Sequence, residues 1–297
     1  MANIKPKATS TRKMPVTKPT NTVKKKVAKK VSKNVEPKTL KKLVCSDVLK
    51  ALAKIETGTV DFIFADPPYF LSNDGFTVKS GKAVSVNKGE WDKSFGFENE
   101  MEFHESWISE CLRVLKPNGT IAISGTYHSI YKCGFLLQKL DCRIINDIAW
   151  FKPNGAPALA GRNFTASHET ILWASKGKKA KHTFNYSVSK SWEVSNDQIH
   201  RSGKQMRSVW SIPSTPKREK THGAHPTQKP FEVLRRLISM CSNEGDLVLD
   251  PFCGSGTTGV ACVLLKRNFI GIDLDKNFLE ITSKRLKNAN EDYASYI

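Results

Sequence analysis

Two hydrogen-bond acceptors and a flat aromatic ring stand side by side in the segment Asp66-Pro67-Pro68-Tyr69. An amino group on a nucleobase is a poor nucleophile, because its lone pair is delocalised into the ring. The Asp66 carboxylate and the Pro67 carbonyl could accept its two N–H hydrogens and favour a reactive, tetrahedral nitrogen. Proline fixes the direction of that carbonyl, because its φ angle is locked at about −65°. Tyr69 offers a face on which a base taken out of the stack could lie.

A second group of candidate residues lies nearer the end of the chain, in Asp250-Pro251-Phe252-Cys253-Gly254-Ser255-Gly256-Thr257. Glycines at a strand-to-helix turn let the backbone approach a ligand closely. The carboxylate of Asp250 in front of them suits a cationic α-amino group and not a pyrophosphate. Asp273, at the end of the next apolar run, stands where an acidic residue binds ribose hydroxyls. No lysine follows the glycines, so a phosphate-binding P-loop is not expected.

Both segments directly follow apolar runs that predict buried β-strands. Val60–Ala65 is rich in β-branched and aromatic residues, and Leu247–Asp250 is similarly apolar. Two consecutive prolines cannot continue a central strand, so the chain must leave the sheet at Pro67. In an open α/β sheet, ligands bind in the crevice beyond the carboxyl ends of the strands. The sequence therefore predicts that Asp66 and the glycine turn face one crevice.

The first segment resembles motif IV, and the second resembles motif I, of the amino-methyltransferases of DNA that use S-adenosylmethionine (AdoMet). The motif IV-like segment comes first, as in the circularly permuted β class of these enzymes. Within that class, the stretches Phe64–Asn73 and Trp91-Asp92-Lys93 look most like the adenine methylases of GATC-type restriction–modification systems. The GANTC methylases are similar too. The resemblance runs from about Leu43 to Leu286.

The resemblance implies a fold and a set of site residues. The fold would be α/β, a Rossmann-like AdoMet-dependent methyltransferase fold in its permuted form, with a mostly parallel sheet, an edge hairpin and an inserted target-recognition region. The catalytic residues would be Asp66, Pro67, Pro68 and Tyr69. The residues that bind AdoMet would be Asp47, Thr227, Lys229, Asp250, Phe252, Gly254, Ser255, Gly256, Thr257 and Asp273. No metal is implied.

The resemblance also assigns one residue to each part of the cofactor. Asp250 would bind the methionine amino group, Asp273 the ribose and Asp47 the adenine of AdoMet.

The pair His168-Glu169 is expected to orient the start of a hairpin, because a lone His-Glu pair is weak evidence for catalysis.

Composition divides the chain into a tail and one domain. Residues 1–42 hold fourteen Lys or Arg and one acid, and therefore supply most of the net charge of +19. This composition predicts a disordered Lys-rich tail that either binds phosphates or is dispensable.

Residues 43–297 are the expected methyltransferase domain, with a mobile loop at 70–99 and a target-recognition region at about 152–222. Basic and aromatic residues alternate in that region, as on DNA-groove surfaces. The candidates for DNA contact are Arg162, Lys204 and Arg207.

The expected partner is double-stranded DNA, with single-stranded DNA left open, together with a cognate restriction endonuclease. Monomer and homodimer both stay open. No apolar run is long enough to span a bilayer, so no membrane partner is expected. The expected compartment is the cytoplasm, although Lys24-Lys25-Lys26 could be a nuclear address in a eukaryotic host. The seven cysteines lack C-x-x-C spacing, which argues against a zinc site.

We therefore expect a site-specific DNA adenine N6-methyltransferase that transfers a methyl group from AdoMet to a flipped-out adenine in a short duplex site. A GATC-like site is favoured over a GANTC-like one. The nearest alternative is an N4-cytosine methyltransferase, whose motif more often begins with serine. Gly254, Gly256 and Gly259 also match the dinucleotide fingerprint of an NAD-dependent oxidoreductase, which would leave Asp66-Pro67-Pro68-Tyr69 without a role. A non-enzymatic DNA-binding protein, and RNA or protein-amide substrates, also stay open.

Overall fold

The computed structural model describes residues 39–70, 76–79, 82–85, 92–158, 161–193, 197–223 and 225–296. These residues belong to the second of two compact units, Lys38–Ile297. The expected Lys-rich tail lies outside the described residues as far as residue 38. The first strand begins at Lys41, however, so the last two residues assigned to the tail belong to the sheet.

The strands, in chain order, are β1 (Lys41–Cys45), β2 (Val60–Ala65), β3 (Phe76–Lys79), β4 (Lys82–Ser85), β5 (Leu115–Gly125), β6 (Arg143–Phe151), β7 (His168–Ser175), β8 (Val209–Ser211), β9 (Leu247–Asp250) and β10 (Asn268–Asp273). The helices are α1 (Val48–Leu52), α2 (Phe97–Val114), α3 (Ile130–Lys139), α4 (Tyr186–Ser191), α5 (Phe231–Cys241), α6 (Thr257–Leu264) and α7 (Lys276–Asp292). Short 3-10 helices span Lys217–Glu219 and Ala294–Tyr296.

The described strands form an eight-stranded sheet in the order β1-β10-β9-β2-β5-β7-β6-β8 and a separate antiparallel pair, β3-β4. Within the large sheet, β7 runs antiparallel to both of its neighbours and the other described strands are parallel to one another. The predicted hairpin is β6-β7. It does not form the edge of the sheet, because the three residues of β8 pair with the outer side of β6.

Strand β2 is buried on both faces, which explains its nearly continuous apolar sequence. Phe62 and Phe64 belong to one hydrophobic cluster, and Ile63 and Ala65 belong to another on the opposite face. The first cluster includes side chains of α5, α6 and α7, and the second includes side chains of α1, α2 and α3. The sheet is therefore the middle layer of three. None of the described helices is both long and apolar enough to cross a bilayer.

The interval expected to be a mobile loop, 70–99, contains regular structure. Its described part includes the antiparallel pair β3-β4, in which Val78 pairs with Ala83, and α2 already begins at Phe97. Residues 71–75, 80–81 and 86–91 of that interval lie outside the described residues. Two four-residue strands are too short for alternation to distinguish them from a loop by sequence.

Parallel pairing brings several predicted site residues to one edge of the sheet. Ile63 of β2 pairs with Leu249 of β9, so both strands end at the same side and continue into Asp66 and Asp250. Strand β1 pairs with β10 so that Cys45 lies beside Asp273. This is the crevice that the two motifs predicted.

Candidate active site and cofactor cavity

A cavity of about 740 Å³ opens at the carboxyl edge of the sheet, a volume within the range of roughly 300–1,000 Å³ typical of small-molecule sites. The predicted residues that line it are Asp47, Asp66, Pro67, Pro68, Tyr69, Thr227, Phe252, Gly254 and Asp273. An adjoining cavity of about 30 Å³ adds Lys229, Asp250, Ser255 and Thr257 and shares Asp66 and Gly254 with the first. The two motifs, distant in sequence, therefore meet at one site.

The glycine turn before α6 is held by side chains of α7. Thr282 Oγ1 donates a hydrogen bond of 2.8 Å to the carbonyl of Gly254, and Arg285 Nη1 donates one of 2.5 Å to that of Ser255. Gly256 caps α6 with a φ of +76°, and a Cβ there would come within 2.4 Å of Thr282. A Cβ on Gly259 would come within 2.5 Å of Phe269. A Cβ on Gly254 would come within 2.9 Å of the His225 ring, so packing inside the protein disfavours a side chain at all three of these glycines.

Asp250 is a buried carboxylate at the end of β9. Its Oδ1 accepts a hydrogen bond of 3.0 Å from the Phe252 amide, and its Oδ2 accepts one of 2.5 Å from Thr258 Oγ1. Burial raises the pKa of Asp250 to about 7, although these hydrogen bonds oppose the shift. A buried carboxyl group of this kind gains most from a cation as its partner.

Asp273 and Asp47 are oriented by backbone amides. Asp273 Oδ2 accepts a hydrogen bond of 2.7 Å from Gly254, and its Oδ1 accepts one of 2.9 Å from Asp275. Asp47 caps α1, with Oδ1 accepting from the amides of Leu49 and Lys50 at 3.1 Å each. Because each carboxylate oxygen has two lone pairs, both groups can still accept a ligand hydroxyl or amine.

Asp66 is tied to the aromatic residue of its own motif. Its Oδ1 accepts a hydrogen bond of 2.6 Å from the hydroxyl of Tyr69. That hydroxyl also lies 3.2 Å from Glu169 Oε2 and 3.4 Å from Ser124 Oγ. The tyrosine hydroxyl thus points into the protein, and its ring is held in one orientation in the cavity wall.

Four charged side chains alternate in sign beside the cavity. Lys229 Nζ pairs with Asp66 Oδ2 and lies 3.7 Å from Glu169 Oε2, while Glu169 Oε1 pairs with Lys152 Nζ. Lys229 was predicted to bind the cofactor. In the structure it forms an ion pair with Asp66, the predicted catalytic carboxylate. The structure places Glu169, expected only to orient a hairpin, at the centre of this group. We call Asp66, Lys229, Glu169 and Lys152 the charge cluster.

Attraction between opposite charges opposes the effect of burial on the pKa values of Glu169, Lys229 and Asp66. Burial opposes ionisation of Glu169, but Lys229 and Lys152 outweigh it and lower the pKa of Glu169 to about 2. Burial would lower the pKa of Lys229, yet Asp66 and Glu169 raise it. Burial raises the pKa of Asp66, and Lys229 opposes that shift. The lysine thus favours a carboxylate acceptor at the cavity.

The backbone that follows the two prolines is fixed by Asp92. Its Oδ1 accepts hydrogen bonds of 2.9 Å from the amides of both Tyr69 and Phe70. Phe70 has a φ of +57°, an uncommon conformation for a side chain of this size. Sequence reasoning noted Asp92 only within the resemblance and had no signal for this role.

Sequence reasoning also gave no role to Lys152 or Ser124. Lys152 follows β6, and Ser124 lies near the end of β5, so sheet pairing brings them to the site. Arg162, Lys204 and Arg207 are exposed, and none of them lines either cavity. In the described part of the chain, no cluster of His, Cys, Asp or Glu is arranged to hold a metal ion.

The sheet and the cavity at its carboxyl edge define a Rossmann-like AdoMet-dependent methyltransferase fold. A family model described as DNA methylase matches residues 60–284, more than half of the chain. The chain belongs to this family of DNA methylases.

Known proteins agree with this assignment. The chain is 51% identical over 250 residues to the Type II methyltransferase M2.DpnII of Streptococcus pneumoniae, covering 84% of this chain and 90% of that relative. It is 50% identical over 245 residues to the Type II methyltransferase M2.LlaDCHI of Lactococcus lactis subsp. cremoris, covering 82% and 88%. The crystal structure of the M1.HpyAVI-SAM complex matches with a TM-score of 0.58 and 27% identity, covering 82% of this chain and 98% of that one. These matches confirm the predicted resemblance, fold class and enzyme class.

Proposed function

We propose that this protein methylates N6 of an adenine that is flipped out of a short duplex site, with AdoMet as the methyl donor. The observation that carries the proposal is Asp66, a carboxylate fixed by Tyr69 and Lys229, in the wall of the cavity that also contains Gly254. A GATC-like site is proposed on the resemblance to methylases of GATC-type restriction–modification systems. Cytosine N4 is the competing target.

The residues present fit AdoMet. Asp250, whose pKa burial raises, is suited to the α-ammonium group of methionine. Asp273 would accept from the ribose hydroxyls, and Asp47 from the adenine amino group. The walls and the turn around the cofactor would be supplied by Thr227, Lys229, Phe252, Gly254, Ser255, Gly256 and Thr257. AdoMet supplies an electrophilic methyl group on its sulfonium sulfur, and no metal is needed for the transfer.

On the protein side, catalysis is proposed to consist of holding N6. Asp66 and the Pro67 carbonyl accept its two hydrogens, Pro68 rigidifies the turn, and the ring of Tyr69 contacts the base. With AdoMet bound, the nitrogen would take the methyl group while the bond from that carbon to sulfur breaks. The thioether product would leave and N6 would lose one proton to solvent, so no covalent enzyme intermediate is needed. Most of the rate gain would come from orientation and fixed dipoles.

The DNA is proposed to lie over the carboxyl edge of the sheet. Residues 152–222 would recognise the target, with Arg162, Lys204 and Arg207 exposed for phosphate or base contact. Residues 70–99 would close over DNA or cofactor. The Type II relatives favour a cognate restriction endonuclease as a partner and action in the cytoplasm, with the DNA.

Nucleoside analysis tests this proposal directly. Purified protein is incubated with unmethylated duplex DNA and AdoMet carrying an isotopically labelled methyl group, and the digested nucleosides are identified by mass spectrometry. Labelled N6-methyladenine is the expected product. N4-methylcytosine would show that the competing target is correct, and no labelled nucleoside would refute the proposed activity. Long-read sequencing of the product then gives the site.

A further inference from the structure

Glu169 contacts the same two hydrogen-bond donors that bind the proposed catalytic carboxylate. The Tyr69 hydroxyl lies 2.6 Å from Asp66 Oδ1 and 3.2 Å from Glu169 Oε2. The Lys229 ammonium group pairs with Asp66 Oδ2 and lies 3.7 Å from Glu169 Oε2. Two carboxylates therefore compete for one hydroxyl hydrogen and one ammonium group.

Both oxygens of Asp66 accept from the protein itself, because Tyr69 binds Oδ1 and Lys229 binds Oδ2. A carboxylate has about four lone-pair sites, so a target amino group can still bind there. A close ammonium group, however, neutralises the carboxylate and weakens it as an acceptor for anything else. A second acceptor for the ammonium group would therefore strengthen the hold of Asp66 on an incoming amino group.

The position of Glu169 suits it to be that second acceptor. It is the second residue of β7 and pairs in register with Trp150 of β6, so the sheet fixes its backbone. Its other oxygen, Oε1, pairs with Lys152. Burial opposes its ionisation, but Lys229 and Lys152 lower its pKa to about 2, and it is charged at neutral pH. Glu169 lines neither cavity, so it would act through its neighbours and not on a ligand.

We propose that Glu169 is a positioning residue of methyl transfer, which takes a share of Lys229 and of the Tyr69 hydroxyl as the target amino group arrives and so leaves Asp66 to hold that group. This inference rests on the proposed function, because it assigns the amino group to Asp66. A movement of roughly 1 Å brings the ammonium group from 3.7 Å to hydrogen-bond distance of Glu169. The flexible stem of a lysine allows such a movement.

Glu169→Gln tests the inference, because it removes the charge and keeps an acceptor of the same shape for the Tyr69 hydroxyl. Lys229 is then held by Asp66 alone. At saturating AdoMet and DNA, we expect kcat to fall by about tenfold, the difference between a charged and a neutral partner. The calorimetric Kd for AdoMet should stay within about twofold of wild type.

A second readout reports the hold on the amino group itself. Duplexes with adenine or with purine, which lacks the amino group, at the target position are bound to protein loaded with S-adenosylhomocysteine, the thioether product. The ratio of the two Kd values contains the contribution of the amino group. In Glu169→Gln, we expect this ratio to change by about fivefold or more, against the adenine duplex. A purely structural defect would weaken the binding of both duplexes equally.

Glu100→Gln is the matched control, because Glu100 is also a buried carboxylate paired with a lysine, Lys132, and lines neither cavity. It should keep the wild-type kcat and Kd ratio. The double variant Glu169→Gln/Lys152→Met removes one charge of each sign, and it replaces the single variant if that variant does not fold. The same change of kcat and of the Kd ratio is expected in it.

A kcat within about twofold of wild type, or a lower kcat with an unchanged Kd ratio, would overturn the inference. The same change of ratio in Glu100→Gln would overturn it as well. If the wild-type protein methylates no DNA, the proposed function itself fails. If the wild type methylates DNA and Glu169→Gln is unaffected, only the role of Glu169 fails, so the two failures are distinguishable.

Discussion

The ammonium group of Lys229 pairs with Oδ2 of Asp66 across 163 residues of sequence. Lys229 belongs to the turn that precedes α5, and Asp66 follows β2, so the pair links the proposed cofactor segment to the proposed catalytic one. The lysine also lies 5.4 Å from the centre of the Tyr69 ring. A change at this lysine therefore affects the acceptor and the aromatic wall together.

Replacing Lys229 by methionine should impair both catalysis and folding. It would leave the buried carboxylates Asp66 and Glu169 without this partner, and breaking a buried ion pair costs about 3–5 kcal/mol. We expect a lower melting temperature and a kcat reduced by about 10²-fold. Lys178→Met is the control, because its pair with Asp141 is exposed, at 73% and 77% for the two side chains. That variant should retain stability and activity.

A double variant separates the two effects of Lys229. Combining Lys229→Met with Asp66→Asn removes both charges of the pair, so much of the lost stability should return while methyl transfer falls below that of Lys229→Met alone. Melting temperature measured beside methyl transfer checks this expectation. Equal loss of stability in the single and double variants would contradict it.

Asp66→Ala should abolish methyl transfer and leave AdoMet binding largely intact. The carboxylate is proposed to hold N6 of the target, while the cofactor contacts lie on other residues of the cavity. We expect kcat to fall by at least about 10²-fold with little change in the calorimetric Kd for AdoMet. A parallel loss of cofactor binding would contradict the role assigned to Asp66.

Binding of AdoMet should strengthen as pH rises through neutrality. Without cofactor, the pKa of Asp250 is raised to about 7 by burial, so its carboxyl group is largely protonated below that pH and charged above it. A cationic ammonium group prefers the charged form, and affinity should rise by roughly five- to tenfold between about pH 6 and about pH 7.5. Calorimetry across this range measures it. Asp250→Asn should bind more weakly and with a flatter pH profile.

The Asp250 carboxyl group should also make the stability of the protein depend on pH. Stability without cofactor should fall as pH rises, whereas AdoMet affinity should increase. A carboxyl group whose pKa is raised by folding stabilises the protein below its unfolded value, about 4, and that contribution is lost as pH rises through about 7. Without cofactor, we therefore expect Asp250→Asn to lose less stability than wild type between about pH 5 and about pH 8. Thermal melts of both proteins across that range check the sign.

Gly256→Ala should weaken both the fold and cofactor binding. Its φ of +76° costs an alanine about 1–2 kcal/mol, and the new Cβ would press on Thr282, which holds the glycine turn. Gly203→Ala is a matched control, because its φ is +75° and no atom lies within 4 Å of its added Cβ. We expect Gly203→Ala to lose only the stability that the unfavourable φ angle costs an alanine, and to bind AdoMet normally. Thermal melts and calorimetry separate the two contributions.

The sequence predicted those parts of the site that depend only on residues close together in the chain, namely the strands and the turns that follow them. Apolar runs followed by Pro67 or by Gly254 located β2 and β9 and the turns beyond them, because proline and glycine end strands for reasons that need no distant contact. Parallel pairing then followed from the α/β pattern. The proposed roles of individual residues remain predictions.

What the sequence could not predict depends on pairing between distant elements. Lys152 and Glu169 reach Lys229 only because β6 and β7 lie beyond β5 in the sheet. The strand β8, with three residues, has no alternation to reveal it. An ion pair such as Lys229–Asp66 has no sequence signal of its own.

The reversed direction of β7 has a consequence for the segment that precedes it. A parallel strand would begin at the far side of the sheet, but β7 begins at the catalytic edge, with Glu169 near its first residue. The segment between Lys152 and Glu169 therefore leaves the sheet at the end of β6 and returns to the same edge at the start of β7, next to the charge cluster. Both ends of this segment are fixed at the sheet, by Lys152 and Glu169. Under the proposed function, a change in the residues between them would therefore alter the contacts with DNA without moving the residues proposed to hold the amino group.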